Sequence, residues 1–204
     1  MCCLRIAKRR KLADVIEQPD AETWEVPVGE AKARLAELRT RMIVELERWM
    51  TPTSAEEDRL NDAIRALTFY KIQRVPDDQL TYMKMEPQQC HLNASAYAKL
   101  DPTGESQHVS GWWKRGGIFF FHSVILTRTR LSCVTPHHDP SPLQFAPDFD
   151  IKWMESNGLM NASRDGLKVP FLVRDFPETV IAEATAARDA LLAGADPRSI
   201  QLPL

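Results

Sequence analysis

Residues 107–135 read QHVSGWWKRGGIFFFHSVILTRTRLSCVT, and this stretch decides the fold class. Three runs rich in aromatic and β-branched residues, Gln107 to Trp113, Ile118 to Leu126 and Leu131 to Thr135, are separated by Gly116-Gly117 and by a polar turn about Arg128 and Thr129. Runs of that length bounded by turn residues are strands, and such short links give an antiparallel meander. Counting outward from the second turn pairs Leu126 with Leu131, Val124 with Cys133 and His122 with Thr135. Side chains alternate across a strand, so Cys133 and Thr135 share the face of His122. His122 is out of place in a pure core, an imidazole following three phenylalanines.

Helices flank the meander. From Val28 to Met50, Leu35, Leu38, Met42, Leu46 and Trp49 recur three and four apart, as one face of a helix requires. Pro52 stops it, and Ser54-Ala55-Glu56-Glu57 is a capping box for a second helix through Leu60, Ile64 and Leu67 to about Tyr70. The short link predicts an antiparallel helical hairpin covering one face of the sheet. Pro76 to Pro87 reads as a loop. Gln88 to Leu100 is an alanine-rich helical stretch with Cys90 at its start, and Phe176-Pro177-Glu178-Thr179 opens a last helix that Gly194 ends. The segment from Pro136 to Asp165 is rich in prolines and turns and shows no clear period. The expected organisation is an N-terminal helical hairpin over 1–75 and an α+β domain over 76–204.

At 204 residues the chain has room for one core with a helical extension. A formal charge of -2 supplies no field to draw nucleic acid. No apolar run approaches the roughly 18 to 20 residues of a membrane span. The basic N-terminus carries Cys2 and Cys3 but no secretory pattern; it reads as a solvated terminus before a palmitoylated anchor. Four sparse cysteines fit reduced thiols. The expectation is a cytoplasmic protein with a small-molecule or peptide substrate, no nucleic-acid or membrane partner, and an oligomeric state the sequence leaves open.

A cysteine at a helix start meets unpaired backbone N–H groups and the positive end of the helix dipole, which favour thiolate. The same groups can receive the oxyanion formed when sulfur attacks a carbonyl. Cys90 is thus the candidate nucleophile, and His122 the candidate base. Gln89 could donate to the oxyanion, while His91 and Asn93 are capping or supporting groups. One of Trp112 and Trp113 should be core, and the other can line a cleft.

The order of a helix headed by Cys90, a strand, a strand with His122 and a further strand resembles the core of papain-like cysteine hydrolases. Cys90-His91-Leu92-Asn93, Gly111-Trp112-Trp113, Phe121-His122-Ser123-Val124, Val134-Thr135-Pro136 and Phe145-Ala146-Pro147-Asp148 further resemble an uncharacterised bacterial family. Its pattern is a Cys-His-x-Asn helix start, a Gly-Trp strand, a His-Ala/Ser-Val strand and an Asp-x-Thr-Pro strand. The resemblance covers about sixty residues. It implies a papain-like α+β fold, a helix with an N-terminal Cys packed on an antiparallel sheet, and a Cys/His site on Cys90 and His122 with Thr135 beside them. Where the pattern has an acid two residues before Thr135, this chain has Cys133, and Asp139 and Asp148 are the nearby substitutes.

The function expected is therefore a cysteine-dependent hydrolase or acyltransferase, of amidase, deamidase or peptidase type, acting on an amide or thioester without a cofactor. A non-catalytic interaction module that keeps the fold is the alternative, argued by the lost acid. Zinc binding is the rival chemistry, because Cys90, His91, His108, His122, Cys133, His137, His138 and Asp139 fall within fifty residues. No pair among them has the Cys-x-x-Cys or His-x-x-x-His spacing of common zinc sites, so no metal ligands are assigned.

Overall fold

Gly111 is where the expected meander becomes a barrel. In the computed structural model, which describes residues 28–139, 141–156 and 158–202, β2 (Ser106–Arg115) runs antiparallel to β3 (Ile118–Thr127) along its whole length. β3 continues into β4 (Arg130–Cys133) with Leu126 opposite Leu131, the register the turn predicts. The other edge of β2 takes β5 (Leu143–Pro147), with Gly111 opposite Pro147. A Cβ at position 111 would lie 2.1 Å from the Ala146 carbonyl oxygen and 2.8 Å from the Phe145 ring, so only glycine permits this approach. β5 pairs antiparallel with β1 (Tyr70–Arg74), and β1 pairs parallel with β4. The circuit β2-β5-β1-β4-β3 returns to β2.

The class is α+β, but the papain-like arrangement of a helix packed on an antiparallel sheet is overturned by this closed five-stranded barrel. β1 and β5 supply the closing strands; they come from the expected end of the second helix and from the segment without a period. A barrel this narrow holds only side chains. Ile72, Val109, Val124, Cys133, Leu143 and Phe145 fill it, with Trp113, Leu126 and Leu131 packed against them.

Outside the barrel, α4 (Cys90–Leu100) lies across β2 and β3 and buries Ala94 beside Leu80, Ile125 and Val134. Leu80 belongs to α3 (Asp77–Tyr82), a short helix in the segment that reads as a loop. β6 (Ile151–Ser156), β7 (Leu159–Arg164) and β8 (Leu167–Lys168) form a separate three-stranded sheet that sets Trp153 and Ala162 against Trp112 and Phe121. β9 (Leu172–Arg174) pairs with the first residues of β3.

The two N-terminal helices form as their residues predict, and Ser54 caps α2 by accepting from the Glu57 N–H at 3.1 Å. Their packing differs from the expected hairpin. α1 (Val28–Trp49) lays Leu46 and Trp49 against Val180, Ala184 and Leu191 of α5 (Pro177–Leu192). α2 (Ala55–Arg65) inserts Leu60 and Ile64 beside Trp112, Phe119 and Val173, and ends before the chain extends into β1. Arg174, buried, fixes the link between these helices: its guanidinium bonds both Glu57 oxygens at 2.8 Å and donates to the Trp49 and Thr51 carbonyls at 3.0 and 2.7 Å. β1 lies ahead of residue 75 and is nevertheless a strand of the barrel. Cys2 and Cys3 lie outside the described residues. Among the described residues no helix is long and apolar enough to cross a membrane.

Candidate functional site

One edge of β3 is paired throughout by β2. The other is paired with β9 at 118–120 and with β4 at 125–127, leaving the interval around His122 and Ser123 without a strand partner. α4 begins beside this interval, with Cys90 as its first residue. Burial raises the pKa of the half-buried Cys90 thiol, against a smaller opposite pull from the backbone of Ser123, then of His91 and of Cys90 itself. The sulfur therefore stands next to the Ser123 backbone, one residue from His122.

His122 points into the barrel. Its Nε2 lies 3.3 Å from Cys133 Sγ, and Cys133 Sγ lies 3.5 Å from His137 Nε2. Trp113 packs its ring 5.6 Å from the His122 ring and 4.9 Å from that of His137. Arg74 donates to the His137 carbonyl at 2.5 Å and pairs with Asp77 at 2.9 Å, holding the segment after β4 in place. Burial, then the charges of His137 and His91, lower the His122 pKa to about 3, and burial pushes the Cys133 thiol up to about 11. At neutral pH the pair is imidazole and thiol, both uncharged. Among the described residues no hydrogen bond joins His122 to Cys90.

The remaining expected residues divide. Asn93 is buried; its Nδ2 donates to the Glu86 carbonyl at 2.7 Å and to Thr135 Oγ1 at 3.3 Å, and its Oδ1 accepts from the Glu86 N–H at 3.2 Å. It braces the loop that delivers Cys90. Thr135 is fully buried and bonded to Asn93, and its carbonyl lies 3.8 Å from Cys133 Sγ, so it supports Cys133. Gln89 is exposed at the N-cap of α4 and makes no capping bond. His91 turns to the outside of β3: its Nδ1 lies 2.7 Å from Ser123 Oγ and its ring 4.4 Å from Phe121. Neither substitute acid reaches His122. Asp148, buried, accepts from Trp112 Nε1 at 3.1 Å and Arg164 Nε at 2.8 Å, while Asp139 is exposed and accepts from the Ser141 N–H at 2.9 Å.

Sequence reasoning missed the outer cluster around Ser123. His108 Nε2 lies 2.8 Å from Ser123 Oγ, Ser110 Oγ lies 3.1 Å from it, and Trp153 Nε1 donates to Ser110 at 2.9 Å. Its signal was polar alternation: His108 and Ser110 on β2, and Ser123 on β3, fall on the same face in a two-residue period. Burial, then the His108 charge, lowers the His91 pKa to about 4. Comparison with protein-family models, with curated proteins and with solved structures finds no match for the chain.

Proposed function

We propose that the chain is a cysteine-dependent hydrolase or acyltransferase in which Cys90 attacks an amide or thioester and His122 serves as base. The observation that carries this reading is the position of Cys90: first residue of α4, against the backbone of Ser123, where β3 lacks a strand partner and next to the strand residue that bears the imidazole. The resting groups are neutral and not hydrogen-bonded to each other, so the His122 ring must turn from Cys133 toward Cys90 before the thiol proton passes to it as sulfur bonds to the substrate carbonyl carbon. The oxyanion falls among the N–H groups of the first turn of α4. Collapse of the adduct expels an amine or thiol, which takes the proton from the imidazolium. Water or an acceptor nucleophile then cleaves the thioester left on Cys90. A small molecule or a peptide is the substrate class this path accepts. Cys133 orients His122 but brings no negative charge to the imidazolium, so turnover should be slow compared with a site that has a carboxylate there.

Limited iodoacetamide labelling read by mass spectrometry tests this. Cys90 should be modified ahead of Cys133, and His122→Asn should slow its labelling at neutral pH by about tenfold or more. Cys133→Asp should speed it, because a carboxylate stabilises the imidazolium. Labelling of Cys133 with Cys90 protected would refute the assignment. Rates unchanged in both variants would favour a non-catalytic interaction module, the reading that the missing carboxylate supports.

A further inference from the structure

We propose that His122, Cys133 and His137 form a binding site for a transition-metal ion of the zinc class. This inference does not depend on Cys90, but it does share His122 with the acyl-transfer reading: an imidazole bound to an ion through Nε2 has no lone pair left to act as base, so the ion-bound form is not the one that would transfer acyl groups. The three ligand atoms lie within 4.8 Å of one another, two of the residues being buried and the third half-buried. A zinc ion bound to sulfur at about 2.3 Å and to imidazole nitrogen at about 2.05 Å holds those atoms about 3.6 Å apart at the tetrahedral angle. The separations in the barrel are 3.3 Å from His122 Nε2 to Cys133 Sγ and 3.5 Å from Cys133 Sγ to His137 Nε2. Two edges of the tetrahedron are therefore in place before any ion arrives.

The donor set names the class of ion. Two imidazole nitrogens and one thiolate suit zinc, cobalt(II) and copper, whereas magnesium and calcium require oxygen ligands. Binding replaces the Cys133 S–H bond by a sulfur–metal bond and releases one proton to solvent, with no change in oxidation state for zinc. The surroundings restrain the ligands. Trp113 and Phe145 wall the His122 ring at 5.6 and 6.2 Å, and Arg74 fixes the backbone of His137. Arg74 also places a positive charge nearby, which its partner Asp77 and the thiolate offset. With three protein ligands, the fourth position is left for water or another small ligand.

The probe is cobalt(II), titrated into full-length protein stripped with a chelator, with the thiolate-to-cobalt charge-transfer absorption as readout and displacement by zinc as control. One ion per chain should bind. Cys133→Ser should abolish the charge-transfer band, His137→Gln should weaken binding by at least about tenfold, and Cys90→Ser should leave the band and the stoichiometry unchanged. Circular dichroism confirms that each variant is folded; His137→Gln, in a half-buried loop, serves if Cys133→Ser is not. The site is refuted if folded parent protein shows no charge-transfer band at stoichiometric cobalt, or if the band survives Cys133→Ser and disappears in Cys90→Ser. Because alkylation of Cys90 needs no metal, failure here and failure of the acyl-transfer reading are separate results.

Discussion

The two faces of β3 around residues 122 and 123 carry two histidine clusters separated by one backbone. Inside the barrel, His122 meets a thiol and a second imidazole among Trp113, Phe145 and Val124; outside, Ser123 meets His91, His108 and Ser110 under Trp153. The inner cluster is nearly dry and joined through sulfur. The outer one is half-exposed at its histidines and joined through hydroxyls, which can donate and accept at once. Burial therefore dominates the chemistry inside, and hydrogen bonding shapes the arrangement outside.

The largest expected effect sets two adjacent β2 positions against each other. Gly111→Val pushes a side chain into the Ala146 carbonyl and the Phe145 ring, so it should cost about 3 kcal/mol or more and open the barrel. Ser110→Ala, on the outer face, leaves Trp153 Nε1 unpaired and should cost only about 1 to 2 kcal/mol. Urea unfolding of both measures the difference; equal losses would mean that the interior tolerates the added volume.

Acid should separate the faces next. Near-neutral imidazoles held below their usual value of about 6.5 stay uncharged in the fold, while the unfolded chain takes up a proton on each below that pH. Stability is thus fully present above about 6.5 and falls with pH toward about 4 for His91 and about 3 for His122. Each fully protected histidine contributes a slope of about 1.4 kcal/mol per pH unit. Down to about pH 4.5 His122→Asn and His91→Gln should flatten the acid limb of an unfolding series alike, and between about pH 4 and 3 His122→Asn should flatten it more, because His91 is by then protonated in the fold. Identical slopes in that lower interval would erase the distinction.

Ser123→Ala, which removes the hydroxyl shared by His91 and His108, should lower stability by about 1 to 2 kcal/mol, no more than Ser110→Ala. Cobalt binding inside the barrel should be unchanged. A coupled loss would show that the backbone does not insulate one cluster from the other.

Local features were legible in the sequence. The Arg128/Thr129 turn fixed the pairing of Leu126 with Leu131 and so put Cys133 on the face of His122, and the Ser54 cap and the helix start at Cys90 followed from residue chemistry. Trp112 is the fully buried tryptophan and Trp113 the one beside the histidines, the division that alternation implies. Barrel closure was not legible. It rests on the parallel pairing of Arg74 with Cys133 and on β5, which ends in Pro147; neither leaves a local pattern. Gly111 reads as part of a Gly-Trp motif until Ala146 is known to lie against it. His122, Cys133 and His137 stand in the sequence among eight scattered zinc candidates, and nothing local singles out these three, because His122 lies on another strand; the spacing Cys133-x-x-x-His137 directly after a strand is the one usable signal. Asp139 and Asp148 lie near Thr135 in sequence, but Asp148 is held by Arg164 and Trp112 and Asp139 by the Ser141 N–H.

The Arg174 clamp imposes an order on synthesis. Arg174 bonds Glu57, which precedes it by 117 residues. At about 5 to 20 residues per second, a ribosome makes the first helices roughly 6 to 23 seconds before their anchor exists. Through that interval Leu46, Trp49, Leu60 and Ile64 have neither α5 nor β9 to cover them. The nascent chain should therefore engage hydrophobic-binding chaperones through α1 and α2 and let go only when β9 and α5 have left the exit tunnel.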